Sequence, residues 1–508
     1  MSPETIFETG YGKVAGSIID GVQLFRGIPY GGPTEGTGRW LPPTRPAPWT
    51  GVFDATRNGP RAIQPPGSIF TTPVLGPYFS GGRADAGEWS HQDDSENCLV
   101  LNVLTPAAAG KRPVMVYIHG GGFFTGSGAL TLFADKFVRE QDVVLVGINH
   151  RLNVFGYLYL GGLSERYAQG NPGQLDLIAA LEWVRDNITH FGGDPANVTI
   201  FGESGGGGKI SALLGMPAAK RLFKRAIVQS GSLTHAGSAA EGTEAAKTIM
   251  DNLGLAEGDV DSLAALPAQR IFGALAARAG GPPLGMRLGP VVDGVTLPEQ
   301  PWEPAATAHA AGIPLLIGCC KDEATLFARD NPAVYSLDWK GLHAELEKTG
   351  LSAADTGSLM ELYRRLHPAE SASDLYFRIR TDRTMRSRVY AQAELKLAQG
   401  DPLYMYYFSW NTPDGDGQLR AFHTADLPLE MRVVLHPQAE ELSKQLASAW
   451  AGFARDGNPG SALLPAWPQY DLEKRATMVF DIPACTVVDD PDGEAREFLK
   501  DRPSDGVL

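Results

Sequence analysis

Nearly continuous apolar runs alternate along this chain with segments whose apolar positions recur at helical spacing. "RPVMVYIHG" and "DVVLVGIN" read as buried strands, because a strand covered on both faces loses its in-out alternation. In "NPGQLDLIAALEWVRDNITHFGGDP", Leu175, Ile178, Ala179, Leu181, Trp183 and Val184 fit one helical face, which Gly192-Gly193 and Pro195 end. "VTIFG" predicts the next strand and "KISALLGMP" a helix closed by glycine and proline. "KRAIVQSG", "IPLLIGCC" and "LYMYYFSW" predict later strands. Strand, helix, strand at this spacing favours a mostly parallel sheet covered by helices. At the start, "GYGKVAGSIIDGVQLFRGIPYG" breaks short apolar runs with Gly and Asp turns and predicts a small antiparallel sheet. No repeat or long linker divides the chain, so one domain over 1–508 is expected.

Composition narrows the function class. The 508 residues are 43% hydrophobic, enough for a large core, and the net charge of −14 repels phosphate backbones and anionic membranes. No basic run offsets that charge, and no apolar run reaches membrane length. The amino terminus "MSPETIFETGYGKVAG" lacks a basic region followed by an apolar one, so a cytoplasmic, soluble protein is expected. The partner is then a small molecule, with neither nucleic acid nor membrane, and the chain is expected to be a monomer or homodimer. Four cysteines, Cys98, Cys319, Cys320 and Cys485, show no zinc-ligand spacing. Adjacent Cys319 and Cys320 are expected to point to opposite sides of a strand as buried thiols, with no metal.

Two glycine-rich stretches carry candidate chemistry. In Gly202-Glu203-Ser204-Gly205-Gly206, small residues flank a serine between a predicted strand and helix, as a nucleophile elbow requires; an inert N-cap serine is the competing reading. In "YIHGGGFFTGSG", His119-Gly120-Gly121-Gly122 follows a central strand, and consecutive glycines can turn N–H groups into a cavity to hold an oxyanion. Neither stretch has a Walker or G-x-G-x-x-G pattern, which excludes a phosphate cradle. His423, after a late strand and a Gly- and Asp-rich loop, is the candidate base. Asp322, Glu323 and Asp426 all compete to be its acid.

The stretches "FRGIPYG", "SENCLVLNV", "VYIHGGGF", "NHRLNVFGYL", "FGESGGG", "LFKRAIVQSGS", "IGCCKDEATLF" and "AFHTADLPLEM" together resemble the type B carboxylesterase and cholinesterase-like family, in particular its bacterial para-nitrobenzyl esterase branch. They run through most of the chain in the family's order. The resemblance implies an α/β-hydrolase fold, with a central, mostly parallel sheet, a small N-terminal antiparallel sheet, and helical insertions over about 235–420 around an active-site gorge. It implies Ser204 as nucleophile, Glu323 as acid and His423 as base, with the N–H groups of Gly121, Gly122 and Gly205 forming the oxyanion hole. Glu203 is implied as a buried pocket glutamate, while Phe123, Phe124 and His119 are expected, from their place in the glycine loop, to be pocket or supporting residues. Glu96 is expected to pair with Arg39, and Cys98 to remain a free thiol because no upstream cysteine exists.

The implied activity is carboxylic ester hydrolysis through an acyl-enzyme, with no cofactor. A broad esterase for short to medium neutral esters is the main reading. An interfacial lipase or a specialised hydrolase of polyester, phthalate or toxin esters is the alternative, and a noncatalytic adhesion protein would have lost part of the triad. Phe123, Phe124 and "YFSW" offer aromatic surface for an acyl or alcohol pocket. Since the run Gly205–Gly208 makes the helix start entropically costly, Gly205→Ala is expected to stabilise the fold by about 0.4–1 kcal/mol if Gly205 has ordinary helical dihedrals.

Overall fold

The computed structural model describes residues 5–275 and 288–502. Its strands are β1 (Thr5–Thr9), β2 (Gly12–Ile19), β3 (Val22–Pro29), β4 (Val52–Asp54), β5 (Val100–Thr105), β6 (Arg112–Ile118), β7 (Val144–Ile148) and β8 (Gly193–Glu203). They continue with β9 (Arg225–Gln229), β10 (Gly237–Ser238), β11 (Val291–Val292), β12 (Leu315–Cys320), β13 (Leu403–Phe408), β14 (Ala476–Phe480) and β15 (Thr486–Asp489). One sheet runs in the order β1-β2-β3-β5-β7-β6-β8-β9-β12-β13-β14-β15, with β4 beside β2, while β10 and β11 form a separate pair. From β7 to β14 every neighbour is parallel. The margins are antiparallel, apart from the short β4, which pairs β2 in parallel. The predicted N-terminal antiparallel strands are present and form an edge of the main sheet, joined to it through β3 and β5.

The central strands are continuous in apolar residues because both their faces are covered. Along β6, Val114, Val116 and Ile118 enter one buried cluster, while Met115 and Tyr117 enter the other. Cys319 and Cys320 divide between the same two clusters, and all four cysteines are free and buried. On one face lie the helices Pro172–Asn187 and Gly205–Leu213, and on the other Asp135–Gln141 and Glu440–Asp456. The Pro172–Asn187 helix hands over to a 3-10 turn, which left-handed Gly192 ends (φ 76°), and Pro195 already lies in β8. A third cluster, including Leu342, Leu359, Tyr363 and Phe377, gives part of the inserted helices their own core. Strands β12 and β13 of the main sheet also lie inside the span 235–420, so it is not purely helical. Among the described residues, no helix is long and apolar enough to cross a membrane.

Candidate active site

Strand β8 ends at Glu203, and the chain reverses at Ser204 into the nine-residue helix Gly205–Leu213. Ser204 has φ 55° and ψ −126°, a conformation costing a non-glycine residue about 1–3 kcal/mol that the surroundings must hold in place. They do so by close backbone approach. The Ser204 N–H donates to Gln229 O at 2.8 Å, and a Cβ on Gly202 or Gly206 would lie 2.4 or 2.1 Å from the Ile118 carbonyl oxygen. The helix thus starts four residues earlier than its apolar pattern indicates, since Gly205–Gly208 are its first turn.

That glycine run faces the loop after β6. A Cβ on Gly205 would stand 2.1 Å from Gly122 O, and one on Gly208 would stand 3.3 Å from the Phe123 ring. Gly205 has no positive φ, yet the space a methyl group needs is occupied by rigid backbone. The expectation that Gly205→Ala stabilises is therefore overturned by packing. Gly121 (φ 81°) and Gly122 (φ 63°) adopt left-handed conformations, and a Cβ on Gly121 would lie 2.5 Å from Thr125 O. The N–H groups of Gly121, Gly122 and Gly205 have no acceptor among the described residues, which leaves them free to donate. His119 is buried, with Nδ1 2.9 Å from Gly120 O, and so supports the loop from below.

Glu323 follows β12, and His423 lies on the segment after β13, so neighbouring parallel strands deliver both to the same end of the sheet. The Glu323 carboxylate receives His423 Nδ1 through Oε2, while its Oε1 accepts from Ser230 Oγ at 2.5 Å and Cys320 N at 2.7 Å. Asp322 instead ties the two loops together: its N–H donates to Ala421 O at 2.9 Å, and its carboxylate accepts from Ala421 N at 3.4 Å. Asp426 is turned away, accepting from Tyr406 Oη at 2.6 Å and Gln229 Nε2 at 3.3 Å. Of the three competing acids, only Glu323 meets the imidazole. Ser230 escaped the sequence reading, although the quoted "QSGS" motif contains it.

His423 Nε2 faces Glu203 Oε1 at 3.3 Å, and Ser204 Oγ makes no hydrogen bond among the described residues. Burial disfavours charge on the His423 ring. The carboxylates of Glu203 and Glu323, the Glu323 hydrogen bond and Asp426 outweigh that effect and raise its pKa to about 9. Burial pushes the Glu203 carboxyl well above the usual range; His423 opposes this, while Asp426 and Glu323 add to it. The Phe327 ring lies 5.0 Å from the His423 ring and is 45% exposed, an aromatic neighbour of the imidazole that the sequence reading missed.

A cavity of about 520 Å³ opens beside Gly120, Gly121, Glu203, Thr424 and Leu427. Phe123 packs against Tyr157 and Phe124 stacks on Phe272, and neither lines this cavity. The "YFSW" aromatics are buried in β13 and beyond it, so they belong to the core. Arg39 and Glu96 form the expected pair in bidentate geometry, with Nη2 to Oε2 at 2.6 Å. Among the described residues, no group of three or more His, Cys, Asp or Glu side chains is placed to hold a metal ion.

Similarity to known proteins agrees with this geometry. The Carboxylesterase family matches residues 3–499. The para-nitrobenzyl esterase of Bacillus subtilis (strain 168) is 37% identical over 513 residues, covering 97% of this chain and 98% of that protein. The phenmedipham hydrolase of Pseudarthrobacter oxydans is 33% identical, covering 94% of this chain and 95% of its own length. A crystal structure of a carboxylesterase from Geobacillus stearothermophilus superposes with a TM-score of 0.82 at 36% identity, over 97% of this chain and all of that one. With the elbow, the glycine loop and the Glu323–His423 contact gathered at one end of a mostly parallel sheet, the chain belongs to the carboxylesterase family and has the α/β-hydrolase fold.

Proposed function

We propose that this protein is a serine carboxylesterase hydrolysing short to medium neutral esters through an acyl-enzyme on Ser204. The observation that carries the reading is the seating of His423 on Glu323, with its Nε2 3.3 Å from Glu203, the residue that precedes a serine held on a strained elbow. Glu323 fixes the imidazole with its proton on Nδ1, leaving Nε2 to accept the Ser204 proton as the ester enters. Hydrogen bonds of this kind tighten when substrate closes the site. As Ser204 Oγ adds to the ester carbonyl, charge gathers on its oxygen and meets the N–H groups of Gly121, Gly122 and Gly205. His423 then returns the proton to the leaving alcohol. Water repeats the sequence on the acyl-enzyme, releasing the acid and free Ser204.

A cavity of about 520 Å³ beside Glu203 and the glycine loop supports substrates of modest size. The continuous sheet supports treating 1–508 as one domain with helical insertions. The required partner is the ester alone, and we assign the protein to the cytoplasm. An ester panel read by product mass, with Ser204→Ala as control, tests the function. Soluble short-chain esters, including a para-nitrobenzyl ester, should turn over faster than emulsified long-chain ones, and the variant should lose at least about a thousandfold in kcat. Undiminished turnover by Ser204→Ala would refute the reading, and a preference for emulsified substrate would favour a lipase.

A further inference from the structure

Lys209 lies five residues past Ser204 and has no exposed surface. A lysine buried this completely is normally paired with a carboxylate. Here no ion pair holds it among the described residues; its ammonium donates to the carbonyl oxygen of His119 at 2.8 Å and lies 5.8 Å from the Phe123 ring centroid. Burial alone lowers its pKa to about 7. Its backbone is held as well, because Gln174 Nε2 donates to Lys209 O at 3.3 Å.

The position of the bonded carbonyl gives this contact its meaning. The ladder between β6 and β8 ends at Tyr117 and Phe201, and that between β6 and β7 ends at Ile118 and Ile148. His119 is thus the first residue past the ladder, and the glycine run Gly120–Gly122 begins immediately after it. Farther along, Gln64 grips both the N–H and the carbonyl of Gly126. Between these anchors Phe124 N and Thr125 N both donate to Gly121 O, and Asn153 holds the far side of the loop, its N–H donating to Phe123 O at 2.7 Å and its Nδ2 to Phe124 O at 3.2 Å. Lys209 takes hold where the sheet lets go.

From this juxtaposition we propose that Lys209 is a positioning residue of the esterase reaction, holding the His119 carbonyl and thereby the direction in which the Gly121 and Gly122 N–H groups point. The proposal rests on the reading of Ser204 and the glycine loop given above. Lys209→Met keeps the aliphatic stem and removes the donor. A misdirected oxyanion loop weakens binding of the tetrahedral state while leaving ester binding nearly intact.

The test compares wild type, Lys209→Met and Lys209→Gln in kcat and KM on a short-chain ester, in affinity for an alkyl trifluoromethyl ketone, and in thermal unfolding. Ser204 adds to the ketone to give a tetrahedral oxyanion, its proton passing to His423. In the methionine variant kcat and ketone affinity should fall in parallel by about tenfold to a hundredfold, with KM within about threefold of wild type. Glutamine keeps a donor on a shorter arm and should show the same parallel loss to a smaller degree, so it carries the comparison if the methionine variant does not fold. Unchanged ketone affinity and kcat, or a lowered Tm with ketone affinity retained, would overturn the assignment. Wild type that neither hydrolyses the ester nor binds the ketone would overturn the underlying reading instead.

Discussion

At the scale of single residues, the geometry separates acids that the sequence leaves side by side. Glu323 and Asp322 are adjacent and both buried, yet one carboxylate meets the imidazole and the other the Ala421 backbone. Glu323→Gln should therefore keep the fold and lower kcat by about two to four orders of magnitude, whereas Asp322→Asn should cost far less. Steady-state kinetics with circular dichroism on both variants checks this, and the reverse ranking would transfer the role to Asp322. Glu203 makes a second prediction, about pH. Its carboxylate, near Nε2, favours the charged imidazole, and His423 acts as a base only when neutral. Glu203→Gln removes that support, so the His423 pKa falls and the acidic limb of kcat/KM moves to lower pH. An unmoved limb would show that Glu203 does not tune the base.

At the scale of elements, the strand-turn-helix unit around Ser204 is shaped by what it must approach. The sequence shows where glycines are permitted, but not which backbone each one meets. Gly205 faces Gly122, Gly206 faces Ile118, and Gly207 lies close to Gly231, whose own Cβ would be 1.9 Å from Ser204 O. Because the Gly205–Gly122 and Gly206–Ile118 contacts join segments more than 80 residues apart, no local propensity argument reaches them, and the stabilisation expected for Gly205→Ala fails for that reason. In its place, the variant should lose about 1–3 kcal/mol of stability through overpacking and lose activity even on a small acetate ester. Thermal unfolding and kcat/KM measured on the same preparation test this; a stabilised, fully active variant would mean that the loop yields freely to the added methyl group.

At the scale of the whole molecule, the parallel sheet was legible because its central strands carry apolar residues on both faces, and the ordered motifs led to Ser204, Glu323 and His423. Less was legible where the answer depends on distant partners. Ser230 supports Glu323 from the end of β9, Asp322 clamps two loops, and Phe123 packs on Tyr157. The N-terminal strands were recognisable as antiparallel, but their attachment through β3 and β5 requires pairing that no local pattern encodes. The sheet brings these separated segments to one end, and the account stands on Ser204 being the group that reacts there. Intact-protein and peptide mass spectrometry after treatment with an organophosphorus ester tests this most directly. The account predicts a single adduct on Ser204 with loss of esterase activity in step with labelling; activity lost through an adduct elsewhere, with Ser204 unmodified, would contradict it.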